Sequence, residues 1–175
     1  MKIRKINILL AVSFGAIIAF SGCKKDDGAI PNRVTVNEVP AVTSLIDPSG
    51  SLFIPFSNQA AFSGKFRMEL YFPGAKPPDK IDIVVRKTNG STINNTNVKL
   101  YKADVTSLPA SFTVTAAEIV TLFGGPIALN DNYDFAPDIY VGSNTYQAFP
   151  AVGTGTGAGV IAMPLFKEYA RFKAQ

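Results

Sequence analysis

The chain has no histidine and no tryptophan in its 175 residues, and it has one cysteine, Cys23. Without imidazole it holds no Ser–His or Cys–His nucleophile system and no histidine-ligated metal centre. A single cysteine closes no internal disulfide. The folded part must therefore rely on an apolar core, which 13 Phe and many Val, Ile and Leu can supply. The region after Cys23 contains no Ser-x-x-Lys, no His-Glu-x-x-His and no P-loop. The expectation is a protein that is not an enzyme and needs no cofactor.

What is present begins with Lys2, Arg4 and Lys5, followed by an apolar stretch from Ile6 to Phe20. That stretch falls short of the ~20 residues needed to cross a hydrocarbon core. A basic start, a short apolar centre and a small-residue exit read as a secretory signal peptide over residues 1–22. The chain carries 17 basic and 13 acidic residues. Three of the basic ones and none of the acidic ones lie in the signal, leaving 14 against 13, a net of +1. The sequence pI of about 9.2 thus owes much to a segment expected to be removed. No basic patch with interleaved aromatics remains, so no nucleic-acid partner is expected.

The stretch "FSGCKKDD", Phe20–Asp27, carries the first resemblance. "FSGC" resembles the lipobox of bacterial lipoproteins, with Phe20 standing where Leu, Val or Ile is usual. The resemblance implies cleavage before Cys23, lipid on its thiol and acylation of the new amino terminus. Two or more acyl chains hold a protein stably on a membrane, whereas one does so only marginally. "CKKDD" is similar to the lysine-then-acidic-pair signal of surface-exported lipoproteins of the Bacteroidota. By that resemblance Lys25, Asp26 and Asp27 direct export to the outer surface of the outer membrane. Residues 23–37 are polar, with Gly28 and Pro31, and read as a lipid-anchored tether.

Residues 38–175 read as one β domain. "AVTSLI" from Ala41 is a first strand, closed by "DPSG" with turn chemistry at Asp47–Gly50. "SLFIPF" is a short second strand or edge segment, with Pro55 against a central position. "KFRMELYF", Lys65–Phe72, alternates: Phe66, Met68, Leu70 and Phe72 on one face, charged residues and Tyr71 on the other. In "KIDIVVRK", Lys80–Lys87, Ile81, Ile83 and Val85 face in, and Asp82, Val84 and Arg86 face out. "VKLYKA", Val98–Ala103, is a further strand. Thr115 caps the one convincing helix, with Glu118 three residues on as a capping box and Gly124–Gly125–Pro126 as the stop. "DIYVG" and "TYQAF" form a hairpin about "GSN". "GTGTGAG" is a loop without a dinucleotide fingerprint, and "VIAMPLFKEYARF" is a last strand or a helical turn. Short strands, turn signals and one lone helix indicate an all-β sandwich.

Five sets of residues are weighed for function or for a diagnostic structural role. In "LNDNYDF", Leu129–Phe135, Tyr133 is similar to the tyrosine corner of immunoglobulin-like and fibronectin-type sandwiches, whose hydroxyl bonds upstream backbone. Asp131, Asp134 and Asp138, with Asn130 and Asn132, offer hard oxygens suited to Ca²⁺. They lack EF-hand spacing, and turn formation is their primary reading. Glu69, Asp82 and Glu118 have structural readings, which leaves no obvious pair for glycoside hydrolysis. Tyr71, Tyr101, Tyr140 and Tyr146 lie near strands and offer faces for stacking on a sugar, against the alternative of half-buried sheet tyrosines. Asn89 and Asn94 match the N-glycan acceptor pattern and read here as turn residues.

"KFRMELYF", "LPASFTVTAAEIVTLFG" and "ALNDNYDF" together loosely resemble the amino-terminal immunoglobulin-like domain of starch-utilisation-type outer-membrane lipoproteins. That resemblance spans Lys65–Tyr146, about half the chain. It implies an immunoglobulin or fibronectin type III-like sandwich that binds glycan without catalysis. The alternative is a structural or adhesion lipoprotein that docks a protein partner by strand addition.

Overall fold

The computed structural model describes residues 39–90, 95–150 and 165–175. Eight antiparallel strands build two sheets. One sheet joins β1 (Val42–Ile46), β2 (Ser63–Leu70) and β5 (Ala110–Thr115) in the order β1-β2-β5. The other joins β4 (Val98–Val105), β3 (Lys80–Asn89), β6 (Asp131–Val141) and β7 (Asn144–Tyr146), with β8 (Ala170–Lys173) also on β6. These elements belong to one compact unit, Glu38–Gln175. The fold is an all-β sandwich with one short helix.

Alternation in β2 sends Phe66 and Met68 into the core, where both are fully buried. From the facing sheet come Ile81, Ile83, Val85, Phe135 and Phe172, all without exposure. Phe66 is central: its ring centroid lies 4.8 Å from Phe135 and 5.3 Å from Phe112. Fully burying one such side chain stabilises the fold by about 1.5–3 kcal/mol. Gly64 exists for the same core. A Cβ there would lie 2.5 Å from the Phe62 ring and 2.8 Å from Phe172.

Helix α1 (Ala116–Phe123) forms as its ends dictate. The Thr115 hydroxyl accepts from the Glu118 N–H, and the Glu118 side chain accepts from the Thr115 N–H at 2.7 Å. Gly124 ends it at φ 69, a left-handed position that costs glycine nothing. Ala116 and Ile119 are buried beneath it.

Three local expectations are corrected. "SLFIPF" is not a strand: Ile54 makes a single parallel bridge to Ala174, and 3-10 turns follow over Phe56–Ala61. Phe72 does not join the buried face of β2, because the strand ends at Leu70 and Phe72 is 49% exposed. Asp82, Val84 and Arg86 do occupy the outward face of β3, yet all are buried. A second, smaller apolar cluster covers that face: Val84, Ala136 and Phe149, with Val98, Ala148 and Tyr169 packed against it.

β6 is continuous through Pro137, although proline donates nothing to a ladder. The bond from Gly90 N–H to the Asn130 carbonyl pairs even-numbered residues of β6 with β3. The bond from Ala174 N–H to the Asp131 carbonyl assigns odd-numbered residues to the other edge. Pro137 therefore turns its missing N–H toward that second edge. There β8 pairs only as far as Phe135, and β7 begins its pairing at Ile139. The proline sits in the gap between them.

Candidate functional site

The described residues hold three groups of polar side chains on the β3–β6 sheet, and each is internally matched. Asp134 is fully buried and receives two guanidiniums. Arg86 donates to it at 2.8 and 3.2 Å, and Arg171 at 2.6 and 3.0 Å. Arg86 also donates to Asn95 at 2.8 Å and lies 4.1 Å above the Phe149 ring. Arg171 lies 4.9 Å from Tyr169. The aromatics thus seal an ion cluster that two arginines and one aspartate share.

At one end of the sheet Asp131 accepts from the Ala128 N–H at 2.8 Å, from Asn89 at 2.9 Å and from Lys87 at 2.9 Å. Burial by itself raises its carboxyl, but those donors outweigh burial and hold it below the ordinary range. Tyr133 is fully buried, and its hydroxyl donates to the Asp131 carboxylate at 3.1 Å. The expected bond to upstream backbone is replaced by a bond to an upstream side chain. The physical reason is that a charged acceptor already held in place two residues away outcompetes a neutral carbonyl. Burial pushes the Tyr133 phenol well above its usual range.

At the other end Tyr140 donates to Asp82 at 2.8 Å, and Lys80 reaches Asp104 at 2.6 Å. Asp138 lies directly across from Asp82 in the register. Burial raises the Asp138 carboxyl, helped by the negative Asp82, although the Ala148 N–H donates to it at 2.8 Å.

The three aspartates read first as turn residues, with calcium as the lesser option, all lie on strand β6 instead, and their positions separate them. Asp131 and Asp134 answer to cationic side chains and Asp138 to a backbone N–H. Among the described residues no group of three or more His, Cys, Asp or Glu comes together to hold a metal. The tyrosines do not make a flat stacking pair either. Tyr71 meets Phe72 and Phe166 edge-on, at 85° and 78°. Tyr101 turns inward to the Thr113 carbonyl at 3.0 Å, and burial pushes its phenol up to about 12. Tyr140 is spent on Asp82. Cys23, Lys25, Asp26 and Asp27 lie outside the described residues, as do Asn94 and the "GTGTGAG" loop.

Two surfaces at opposite ends of the strands are less committed. The proximal end is where residue 39 enters the domain. A cleft of about 420 Å³ there is lined by Val39, Pro40, Phe72, Lys76, Pro77 and Val141, among others. Phe72 stands half exposed at its rim, and Leu165, beside Phe166, is 85% exposed.

The distal end is built by residues 51–61, helix α1 and residues 124–130. Leu52, Phe53, Phe56, Val120 and Leu129 are all exposed there, by 37 to 56%. The backbone at or beside Phe53, Phe56 and Leu129 is bonded to the last residues of the chain. Ile54 N–H donates to Lys173, Phe56 N–H to Gln175 and Asn130 N–H to Ala174. Gln59 ties the 3-10 turns to Ile127 at 3.1 Å. The sequence signal for this surface is the lack of any ionisable side chain over residues 48–64 and 119–130. Reading "SLFIPF" as a strand would have faced its apolar residues inward and hidden that signal.

No protein-family model matches the chain, and neither a curated protein nor a solved structure matches it.

Proposed function

We propose that the chain is a lipid-anchored, non-enzymatic binding module of the outer membrane, displayed at the cell surface, which docks a protein partner through its distal end. One observation carries the docking: five large apolar side chains stand exposed at the end of the sandwich away from residue 39. Large apolar side chains left exposed together at one end of a domain are the kind of surface that a protein partner covers. An apolar protein surface suits it better than a sugar, because the candidate tyrosines are edge-on, inward-facing or already bonded. Engagement of Asp82, Asp131 and Asp134 by neighbouring donors supports a binding role over hydrolysis. The first, second and fifth strands share one sheet and the third and sixth the other, which supports an immunoglobulin or fibronectin type III-like reading. "FSGC" and "KKDD" supply the anchor and the export signal.

The test uses intact cells. Cys23→Ala is expected to lose membrane association or to leave an uncut precursor. Ala at Lys25, Asp26 and Asp27 is expected to keep the lipid but protect the protein from added protease. With Cys23 acylated, Asn58→Cys carries the only free thiol, at the distal end, for a photo-crosslinker. Protein adducts from position 58, and none from Lys99→Cys on β4, are the expected result. Glycan conjugates alone at position 58 would move the reading to carbohydrate. Silence at both positions would overturn distal docking.

A further inference from the structure

The proximal end offers a second surface, and its place in the chain says what meets it. Fifteen residues, 24–38, separate Cys23 from Val39, and Val39 is itself a wall of the cleft. We propose that the proximal end, through Phe72, Val39 and Leu165 with Lys76 and Lys167 beside them, seats on the lipid bilayer in which the acylated Cys23 is held. The inference rests on the lipid-anchor reading.

Three observations support the seat. The exposed side chains are of the kind that enters the interfacial zone of a bilayer: an aromatic ring and two aliphatic tips, with lysines close by. Phe72 is braced edge-on against Tyr71, at 4.9 Å between centroids, and Tyr71 in turn meets Phe166 at 5.3 Å. Lys167 is fixed to β1, where its carbonyl accepts from the Ser44 N–H at 2.8 Å. The point of entry supplies the direction, since a segment of this length could reach either end. The connecting segment spans at most about 50 Å when fully extended. Bringing the distal end to the bilayer would require running that segment back along β6, about 35 Å of strand at ~3.3 Å per residue. The proximal end meets no such demand. An anchored domain also needs little intrinsic affinity, since tethering gives a local concentration on the order of mM.

The absence of tryptophan makes the test clean. Phe72→Trp and Leu52→Trp each create a single-tryptophan chain, reporting on the proximal and distal ends. The acylated full-length variants are placed in vesicles of phosphatidylcholine and phosphatidylglycerol containing lipids brominated near the headgroup end of the acyl chains. Flotation first establishes whether the protein is anchored. The expected result is flotation of both variants, with blue-shifted emission and bromine quenching, by at least one half, for Phe72→Trp alone. Flotation with no quenching at position 72 overturns the seat and leaves the anchor standing. Quenching at position 52 in place of 72 also overturns it, because the distal end then faces the lipid. Failure of both variants to float overturns the anchor and the seat together.

Discussion

Asp134→Asn is the sharpest test of how the outer face of the sandwich is held. The substitution keeps the side-chain shape and removes one negative charge from between two guanidiniums. Arg86 is only 7% exposed at its side chain and keeps no other anionic partner among the described contacts. Breaking a buried pair from one side costs roughly 3–5 kcal/mol, because the remaining charge is left uncompensated. Arg171 is 35% exposed, so water screens its share and the lower part of that range applies. We take about 3–4 kcal/mol. A unit of about 140 residues unfolds with an entropy near 0.29 kcal/mol/K. The melting temperature should fall by about 10–14 °C, read by circular dichroism or calorimetry. Arg67→Ala is the matched control: its pair with Glu69 at 3.0 Å is largely exposed, so the loss should stay under about 1 kcal/mol. If Asp134→Asn melts within about 3 °C of the parent, the cluster is solvated in solution and the reasoning fails.

Tyr133→Phe keeps the buried ring and removes the bond to Asp131, which retains three other donors. A loss of about 1–2 kcal/mol, with an unchanged denaturant slope, is expected from urea melts. Tyr140→Phe loses its bond to Asp82 in the same way and should cost a similar amount. Asp138 has a raised folded-state pKa, so its benefit to the fold is present below the unfolded value near 4 and is lost as pH rises through the folded value. Asp138→Asn should therefore equal or exceed the parent in stability at pH 7, with the gain vanishing below about pH 4. Asp131 runs the opposite way. Its lowered pKa gives stability above about pH 4 that is lost as pH falls through the folded value. Asp131→Asn should accordingly flatten the acid limb of the stability profile. Gly64→Ala should destabilise by roughly 1–3 kcal/mol or more, since two buried rings would have to move; a melt unchanged from the parent would contradict the packing.

The sequence discloses features whose causes are local. The alternation of Phe66 and Met68, the capping box at Thr115 and Glu118, and the turn at Asp47–Gly50 all depend on neighbours within a few residues. The helix and most strands therefore fall where they are expected. The outward face of β3 depends on distant residues. Nothing near Arg86 reports that Phe149 will cover it or that Arg171 will share its aspartate; both facts follow from strand register. Tyr133 is intermediate. Its burial follows from the pattern of β6, but the charged acceptor that takes its hydroxyl is held in place by Lys87 and Asn89, which strand register brings to Asp131. The distal surface is written in composition, as two runs without charge, and is visible only once those runs are not forced into a strand.

The break at Pro137 has a consequence for how the domain tolerates change. The chain leaves one edge of β6 after β7 and returns to the same edge as β8. The residues between, 147–169, start and finish on a ladder whose other side, with β3, is registered independently of them. Proline removes the one donor that would let β7 and β8 merge into a single strand and slide past each other. Lengthening that connection between Pro150 and Leu165 therefore shifts no register elsewhere in the sheet, provided that Phe149 over Arg86 and Lys167 on β1 are kept. The entropic cost of a longer loop rises only by about 0.6 kcal/mol for each doubling. Between those two held ends an epitope tag, a fluorescent domain or a foreign loop can be inserted with the register of the sandwich unchanged.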